Sequence, residues 1–299
     1  MRNAPYPLTL RQLQYAVAVA GTRSFRRAAE ACHVSQPSLS QQIAEVERGL
    51  GVRLFERDRR RVLVTAAGEA LLARARRVLV EADDLVEASR RHGDPLSGTL
   101  RIGVIPTVGP YLLPRATPAL RKALPDLLVL WEEDRTAPLV ARVSAGELDA
   151  ALLAREADLR DLVQAELAVD PFVLAAPPGH PLARGSGPLR PGDLRGARVL
   201  LLDDGHCLRA QALEVCSKGR AEELGFRATS LSTLVQMVAS GAGVTLLPHV
   251  AVEAEAHRAN LRIRPFAKPA PGRTLVLAWR RGTAVEPALR AVAEVIRRA

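Results

Sequence analysis

Ser24-Phe25-Arg26-Arg27-Ala28-Ala29-Glu30-Ala31-Cys32-His33-Val34-Ser35-Gln36-Pro37-Ser38-Leu39-Ser40-Gln41-Gln42-Ile43 is the stretch that decides the N-terminal fold. Ser24 suits the cap of a short helix from Phe25 to Cys32. Ser35 suits the cap of a second helix, with Pro37 in a first turn where its missing N–H costs little. Along that second helix Leu39, Ile43, Val46 and Leu50 recur at helical spacing and make an inner face. Gln36, Ser38, Ser40, Gln41 and Gln42 make the outer one. Two helices joined by a short turn, the second starting with amides and hydroxyls, suit entry into a DNA major groove, where such groups bond base edges.

Upstream, Leu10, Leu13 and Val17 predict a helix that ends near Gly21-Thr22. Downstream, Leu54 to Val64 reads as two short strands around a turn rich in Arg57, Arg59, Arg60 and Arg61. Thr65 then suits the cap of a long Ala/Leu/Arg helix running to about Arg91. A lone charge run is ordinarily a solvated turn, but one that follows a helix-turn-helix reads as a wing against the phosphate backbone. The charge distribution agrees. The 299-residue chain has 42 Lys+Arg against 32 Asp+Glu, a net charge of +10. That excess alone admits nucleic acid, an anionic membrane or an acidic ligand. Residues 1–65 hold 11 Arg and no Lys against five acidic residues, so most of the surplus sits on the helix-turn-helix segment and selects DNA.

Hydrophobic residues at 48% and charged residues at 25% exclude a disordered or fibrous chain. No apolar run approaches the roughly 18 residues of a membrane span. Met1 to Pro7 has no leader pattern, so a cytoplasmic location without membrane partners is expected. Gly93-Asp94-Pro95-Leu96-Ser97-Gly98 reads as a linker. Beyond it, short apolar runs (Leu100–Val104, Leu127–Trp131, Ala150–Leu153, Phe172–Ala175, Val199–Leu202, Val244–Leu247) alternate with helical stretches such as Tyr111–Ala123 and Leu231–Ala239. That alternation predicts an α/β class with largely parallel sheets, in two lobes.

Three cysteines make no disulfide framework. Cys32, among Ala28, Ala29 and Val34, reads as a small core residue. Cys207 and Cys216 are separated by eight residues, which is not zinc spacing, and neither a metal nor another cofactor is expected. If Leu208 to Cys216 is helical, the two Cα atoms stand about 13 Å apart at 1.5 Å per residue. A disulfide needs about 7 Å or less, so bridging them would unwind the helix. Cys207 would sit at the helix N-terminus with His206 and Arg209 beside it, a setting that favours a thiolate able to reduce peroxide. Two ordinary reduced cysteines are the plain alternative.

The spaced residues Ser24-Phe25, Ala28-Ala29, Cys32, Val34-Ser35-Gln36-Pro37-Ser38-Leu39-Ser40 and Gln42-Ile43 resemble the winged helix-turn-helix of LysR-type transcriptional regulators. So do Leu50-Gly51-Val52, Leu54-Phe55-Glu56-Arg57, Thr65 and Ala67-Gly68. The resemblance implies Gln36, Pro37, Ser38 and Gln42 near the major groove, with Arg57 near the wing beside Arg59 and Arg60. It also implies a linker helix that dimerises through a seam of Leu71, Leu72, Ala75, Val78, Leu79 and Leu85. The domains implied are a DNA-binding module at 1–65, a linker helix at 66–93 and a regulatory domain at 94–299. The last resembles a periplasmic binding protein, with lobe I at about 94–168 and 268–299 and lobe II at about 169–267.

Further on, Ile105 to Pro114, Asp204 to Arg209, Ala228 to Val238 and Gly241 to Pro248 resemble the OxyR-type hydrogen peroxide sensors within that family. This implies Cys207 as the peroxidatic thiol, Cys216 as the resolving thiol, and Thr107, Thr136, His206 and Arg209 around the peroxide. It implies a homotetramer built from dimers, with promoter DNA and RNA polymerase as partners. One departure stands out: the family's Asp after the Arg is Ala210 here. A LysR-type regulator that holds a small metabolite between its lobes, with Thr107 and Thr136 as ligand contacts, is the first alternative. A thiol peroxidase turning over at Cys207 is the second, and no enzyme activity is expected from the first two readings.

Overall fold

The computed structural model describes residues 6–58, 61–90, 94–256 and 259–299. The chain folds as two units, Met1–Arg90 and Arg91–Ala299.

The first unit begins with α1 (Leu10–Thr22), α2 (Phe25–Ala31) and α3 (Gln36–Leu50). Each starts where a side chain can satisfy an orphan N–H. Thr9 and Gln12 form a capping box on α1, Ser24 accepts from the Arg27 N–H, and Ser35 accepts from the Ser38 N–H. Leu39 and Ile43 of α3 are fully buried against Val19 and Ala28. Strands β1 (Phe55–Asp58) and β2 (Arg61–Val64) form an antiparallel hairpin with Phe55 opposite Val64. Glu47 Oε1 on α3 accepts the N–H groups of Leu54 (2.7 Å) and Phe55 (3.1 Å), which ties the hairpin to α3. Thr65 caps α4 (Ala66–Arg90) through the Gly68 N–H at 2.8 Å. A Cβ on Gly68 would stand 2.3 Å from the Leu54 carbonyl oxygen, so the helix can lie this close to the wing only with glycine there. Arg59 and Arg60 lie outside the described residues, as do residues 91–93 at the expected end of the linker helix.

The second unit contains β3 (Gly98–Val104), α5 (Gly109–Ala123), β4 (Leu127–Glu133), α6 (Thr136–Ser144), β5 (Ala150–Ala154) and β6 (Val163–Ala176). After these come β7 (Arg198–Leu202), α7 (Cys207–Gly219), β8 (Glu222–Ala228), α8 (Leu231–Ala239), β9 (Thr245–Pro248) and α9 (His249–Ala256). The unit ends with β10 (Arg262–Pro265), β11 (Gly272–Trp279) and α10 (Glu286–Arg298). There are two cores. One is built from Leu100 to Leu167 together with Leu275 to Ile296, the other from Phe172 to Phe266. The chain passes between them within β6 and again ahead of β11.

The sheets are mixed, not largely parallel as the alternation suggested. β3 is parallel to β4 and β5, and β7 to β8, but β11 is antiparallel to β5 and β6, and β6 is antiparallel to β9 and β10. Apolar runs show that a strand is buried and carry no information on its direction. Every antiparallel pair of this unit involves β6 or β11, the strands at the two crossings between the cores.

Candidate functional site

The candidate site is assembled where α7 begins. Asp203 and Asp204 follow β7, Gly205 turns the chain at φ +89°, and His206 takes the extended conformation of an N-cap. Its side chain accepts no N–H, so the positive end of α7 is left to whatever meets Cys207, the first helical residue. Cys207 and Cys216 are both free and lie in the first and last turns of one unbroken helix, nine steps of helical rise apart. They also belong to different cores. Cys207 is half-buried and packs against the lobe I core, whereas Cys216 is 5% exposed within the lobe II core. Burial, with Glu223 nearby, pushes the Cys216 thiol from 9.0 to about 11.

Cys207 lines a narrow recess with Ile105, Pro106, Thr107, Arg135, Thr136, Gly205 and His206. Of the four residues expected there, the structure brings three together. Thr107 is held rigidly: buried Arg273 donates to its hydroxyl from Nη1 (2.7 Å) and to its carbonyl from Nη2 (3.0 Å). Arg273 Nε completes a buried ion pair with Asp170 at 3.0 Å. Thr136 Oγ1 and His206 Nε2 are buried without a hydrogen-bond partner, although both residues wall the recess. Such orphaned polar atoms beside one thiol suit a small ligand that both donates and accepts. Burial and the charge of Arg135 hold His206 below its ordinary 6.5, so the imidazole is neutral near neutral pH.

Arg209, the fourth, is not among the recess walls. Its Nε donates to Asp204 (2.9 Å), Nη1 to the Leu202 carbonyl (3.1 Å) and Nη2 to Glu223 (2.8 Å). It anchors the first turn of α7 to β7 and β8 of lobe II. Ala210 is exposed on α7 and walls a wider cleft of about 400 Å³ with Thr136, Glu156, Asp158, Arg160, Cys207 and Gln211. Sequence reasoning missed Arg273, Arg135 and Gln211, whose side-chain amide is buried and unpartnered at both ends. Only folding brings Arg135 to the recess and Arg273 to Thr107 behind it, so sequence spacing carries no signal for them.

On the first unit, Gln36, Pro37 and Ser38 are exposed at the N-terminal end of α3. Gln42 is half-buried, and its amide is engaged. It accepts from Gln12 Nε2 at 3.1 Å and donates to Glu45 at 3.0 Å. Arg57 lies in β1 opposite Val62.

Residues 10–69 match the family model of the bacterial regulatory helix-turn-helix protein of the lysR family, and residues 93–299 match the LysR substrate binding domain. The DNA-binding transcriptional dual regulator OxyR of Escherichia coli (strain K12) is 45% identical over 292 residues, which cover 97% of this chain and 95% of that one. A full-length OxyR variant from Pseudomonas aeruginosa superposes with a TM-score of 0.80 at 36% identity, covering 97% of this chain and 95% of its own. Structures of the reduced and oxidised forms of OxyR match at 41% and 42% identity, with TM-scores of 0.63 and 0.62. Each covers 69% of this chain and 97% of its own. The chain therefore belongs to the LysR family of helix-turn-helix transcriptional regulators, in the OxyR group of hydrogen peroxide-inducible genes activators.

Proposed function

We propose that this chain is a promoter-binding regulator that senses hydrogen peroxide through a reversible Cys207–Cys216 thiol–disulfide switch. The observation that carries this reading is the position of the two thiols. One helix spans two cores, with a half-buried thiol at a narrow recess at one end and a second thiol buried at the other. Cys207 thiolate attacks one peroxide oxygen. The S–O bond forms, the O–O bond breaks, and the departing hydroxide takes a proton to become water. Cys216 then attacks the sulfenic sulfur, forming the disulfide and releasing a second water. A cellular thiol reductant reverses the step.

The conformational consequence follows from distance. A helix holds the two Cα atoms about 13 Å apart, and a disulfide tolerates about 7 Å. Closing the bridge therefore unwinds α7, withdraws Cys207 from lobe I and breaks the Arg209 anchor to Asp204 and Glu223. Thr107, Thr136 and His206 orient the peroxide, while Arg209 acts by positioning the helix. Gln36, Pro37 and Ser38 read the groove, with Gln42 behind them and Arg57, Arg59 and Arg60 on the backbone. Dimers formed through α4 assemble into a cytoplasmic tetramer whose repacked regulatory domains alter contacts with promoter and RNA polymerase. No enzymatic turnover is part of this role, since one oxidation serves one signal.

The test is stoichiometric peroxide on the reduced protein, followed by intact mass and thiol counting. The expected result is the loss of two hydrogens and of two titratable thiols in an intramolecular Cys207–Cys216 bridge. A Cys207→Ser protein that still responds to peroxide on promoter DNA overturns the reading. The 400 Å³ cleft beside α7 favours one competitor, a small metabolite bound between the lobes. A ligand-induced melting shift unaffected by removal of either cysteine would establish it.

A further inference from the structure

Arg209 sits in the first turn of α7, Arg273 holds Thr107 of the recess and Arg135 walls the recess itself, and the three differ in what their nitrogens are free to do. Arg209 has all three engaged, with Asp204, the Leu202 carbonyl and Glu223. Arg273 also has all three engaged, with Asp170 and the hydroxyl and carbonyl of Thr107. Arg135, the N-cap residue of α6, is different. Its guanidinium has an ion-pair contact with Asp203 at 3.8 Å, beyond hydrogen-bond distance and between half-exposed groups. It walls the same recess as Cys207, Thr107, Thr136 and His206.

Gly205 is shaped to this arrangement. A Cβ at that position would stand 3.1 Å from Arg135 Nη1 and 3.2 Å from its Cδ. The guanidinium therefore lies directly over the turn that leads into Cys207. His206, the other nitrogen base at the recess, is held neutral by burial and by Arg135 itself. Arg135 is thus the cation at the recess, among the described residues, with N–H groups not already committed.

Resting on the peroxide-sensing reading above, we propose that Arg135 is a catalytic residue of the oxidation step, donating to the peroxide oxygen that leaves when Cys207 attacks. As the S–O bond forms, the electron pair of the breaking O–O bond moves to the distal oxygen. The guanidinium hydrogen-bonds that developing hydroxide and keeps its own proton, since an arginine does not deprotonate in this range. The hydroxide then takes its proton from solvent. Arg135 thus acts on the leaving group, while Thr107, anchored by Arg273, orients the bound peroxide.

The test is the second-order rate of Cys207 oxidation in the full-length reduced protein, wild type against Arg135→Gln and Arg135→Lys. Alkylation of Cys207 by iodoacetamide is measured in parallel across pH. Removing a donor to a developing oxyanion costs a hundredfold or more in an enclosed site, and about tenfold is expected at this half-exposed one. Arg135→Gln should lose about tenfold in peroxide rate and Arg135→Lys less, with the alkylation profile of both unchanged. An unchanged peroxide rate in Arg135→Gln overturns the proposal while leaving the sensing mechanism intact. A parallel fall in peroxide and alkylation rates also overturns it, because the effect would then be on thiol access or ionisation. Failure of the wild-type Cys207 to oxidise at all would sink the sensing reading and this one together.

Discussion

At the scale of single residues, the two thiols are set apart by what surrounds them. Cys216 titrates near 11 because ionising it would place a charge in the lobe II core beside Glu223. Its folded pKa lies above its ordinary 9.0, so its contribution to stability is complete below about 9 and is lost as the pH rises towards 11. Denaturation of the reduced protein should show that decline, and Cys216→Ala should flatten it across the same window. Arg273 supplies a second prediction. With Asp170 only 4% exposed, Arg273→Met leaves a buried carboxylate without its partner and is expected to cost about 3–5 kcal/mol in a urea titration. The same change frees Thr107 and should slow Cys207 oxidation.

At the scale of elements, α7 carries both thiols and its two ends are held by different means. Its first turn is pinned by the Arg209 fork, and its last by packing of Val215 and Cys216 into lobe II. Peroxide should therefore raise amide hydrogen exchange across Cys207–Gly219, the helix that must unwind. In Cys216→Ser the segment should stay protected even though the sulfenic acid forms, since oxidation without bridging imposes no new distance. On α3, Gln36 is exposed and contributes nothing to the core. Gln36→Ala should cost about 1–3 kcal/mol in binding cognate DNA, relax discrimination at one base pair, and leave the melting temperature unchanged.

At the scale of the whole molecule, α4 carries apolar side chains that its own unit does not cover: Val78 is 47% exposed, Leu85 73% and Val86 50%. An exposed apolar stripe on a long helix points to a second copy as its cover. A Leu85→Glu/Val86→Glu protein should sediment as a smaller species than wild type, with weakened promoter binding and an unchanged regulatory-domain melt.

The local signals were legible in sequence because they are local in physics. Ser24, Ser35 and Thr65 cap helices because each bonds an N–H three residues on. Leu39, Ile43 and Val46 face inward because they share one side of a helix. The eight-residue gap between Cys207 and Cys216 implied a separation too long for a bridge once the segment was helical. Strand direction was not legible, since an apolar run is the same read either way, and the antiparallel β6–β11 pairing emerged only on folding. The composition of the recess was legible only in part: the family resemblance named Thr107, Thr136 and His206, which come together there on folding. Arg135, and Arg273 behind Thr107, are far from Cys207 along the chain, and Arg209, two residues after Cys207 in sequence, turns out to be committed to lobe II. Sequence by itself thus determined the DNA-reading module, the α/β regulatory domain and the pair of thiols, each through spacing along one helix or strand. The tertiary structure alone decided which arginine faces Cys207 and which core each thiol occupies, because those depend on side chains that only chain crossings between two lobes bring together.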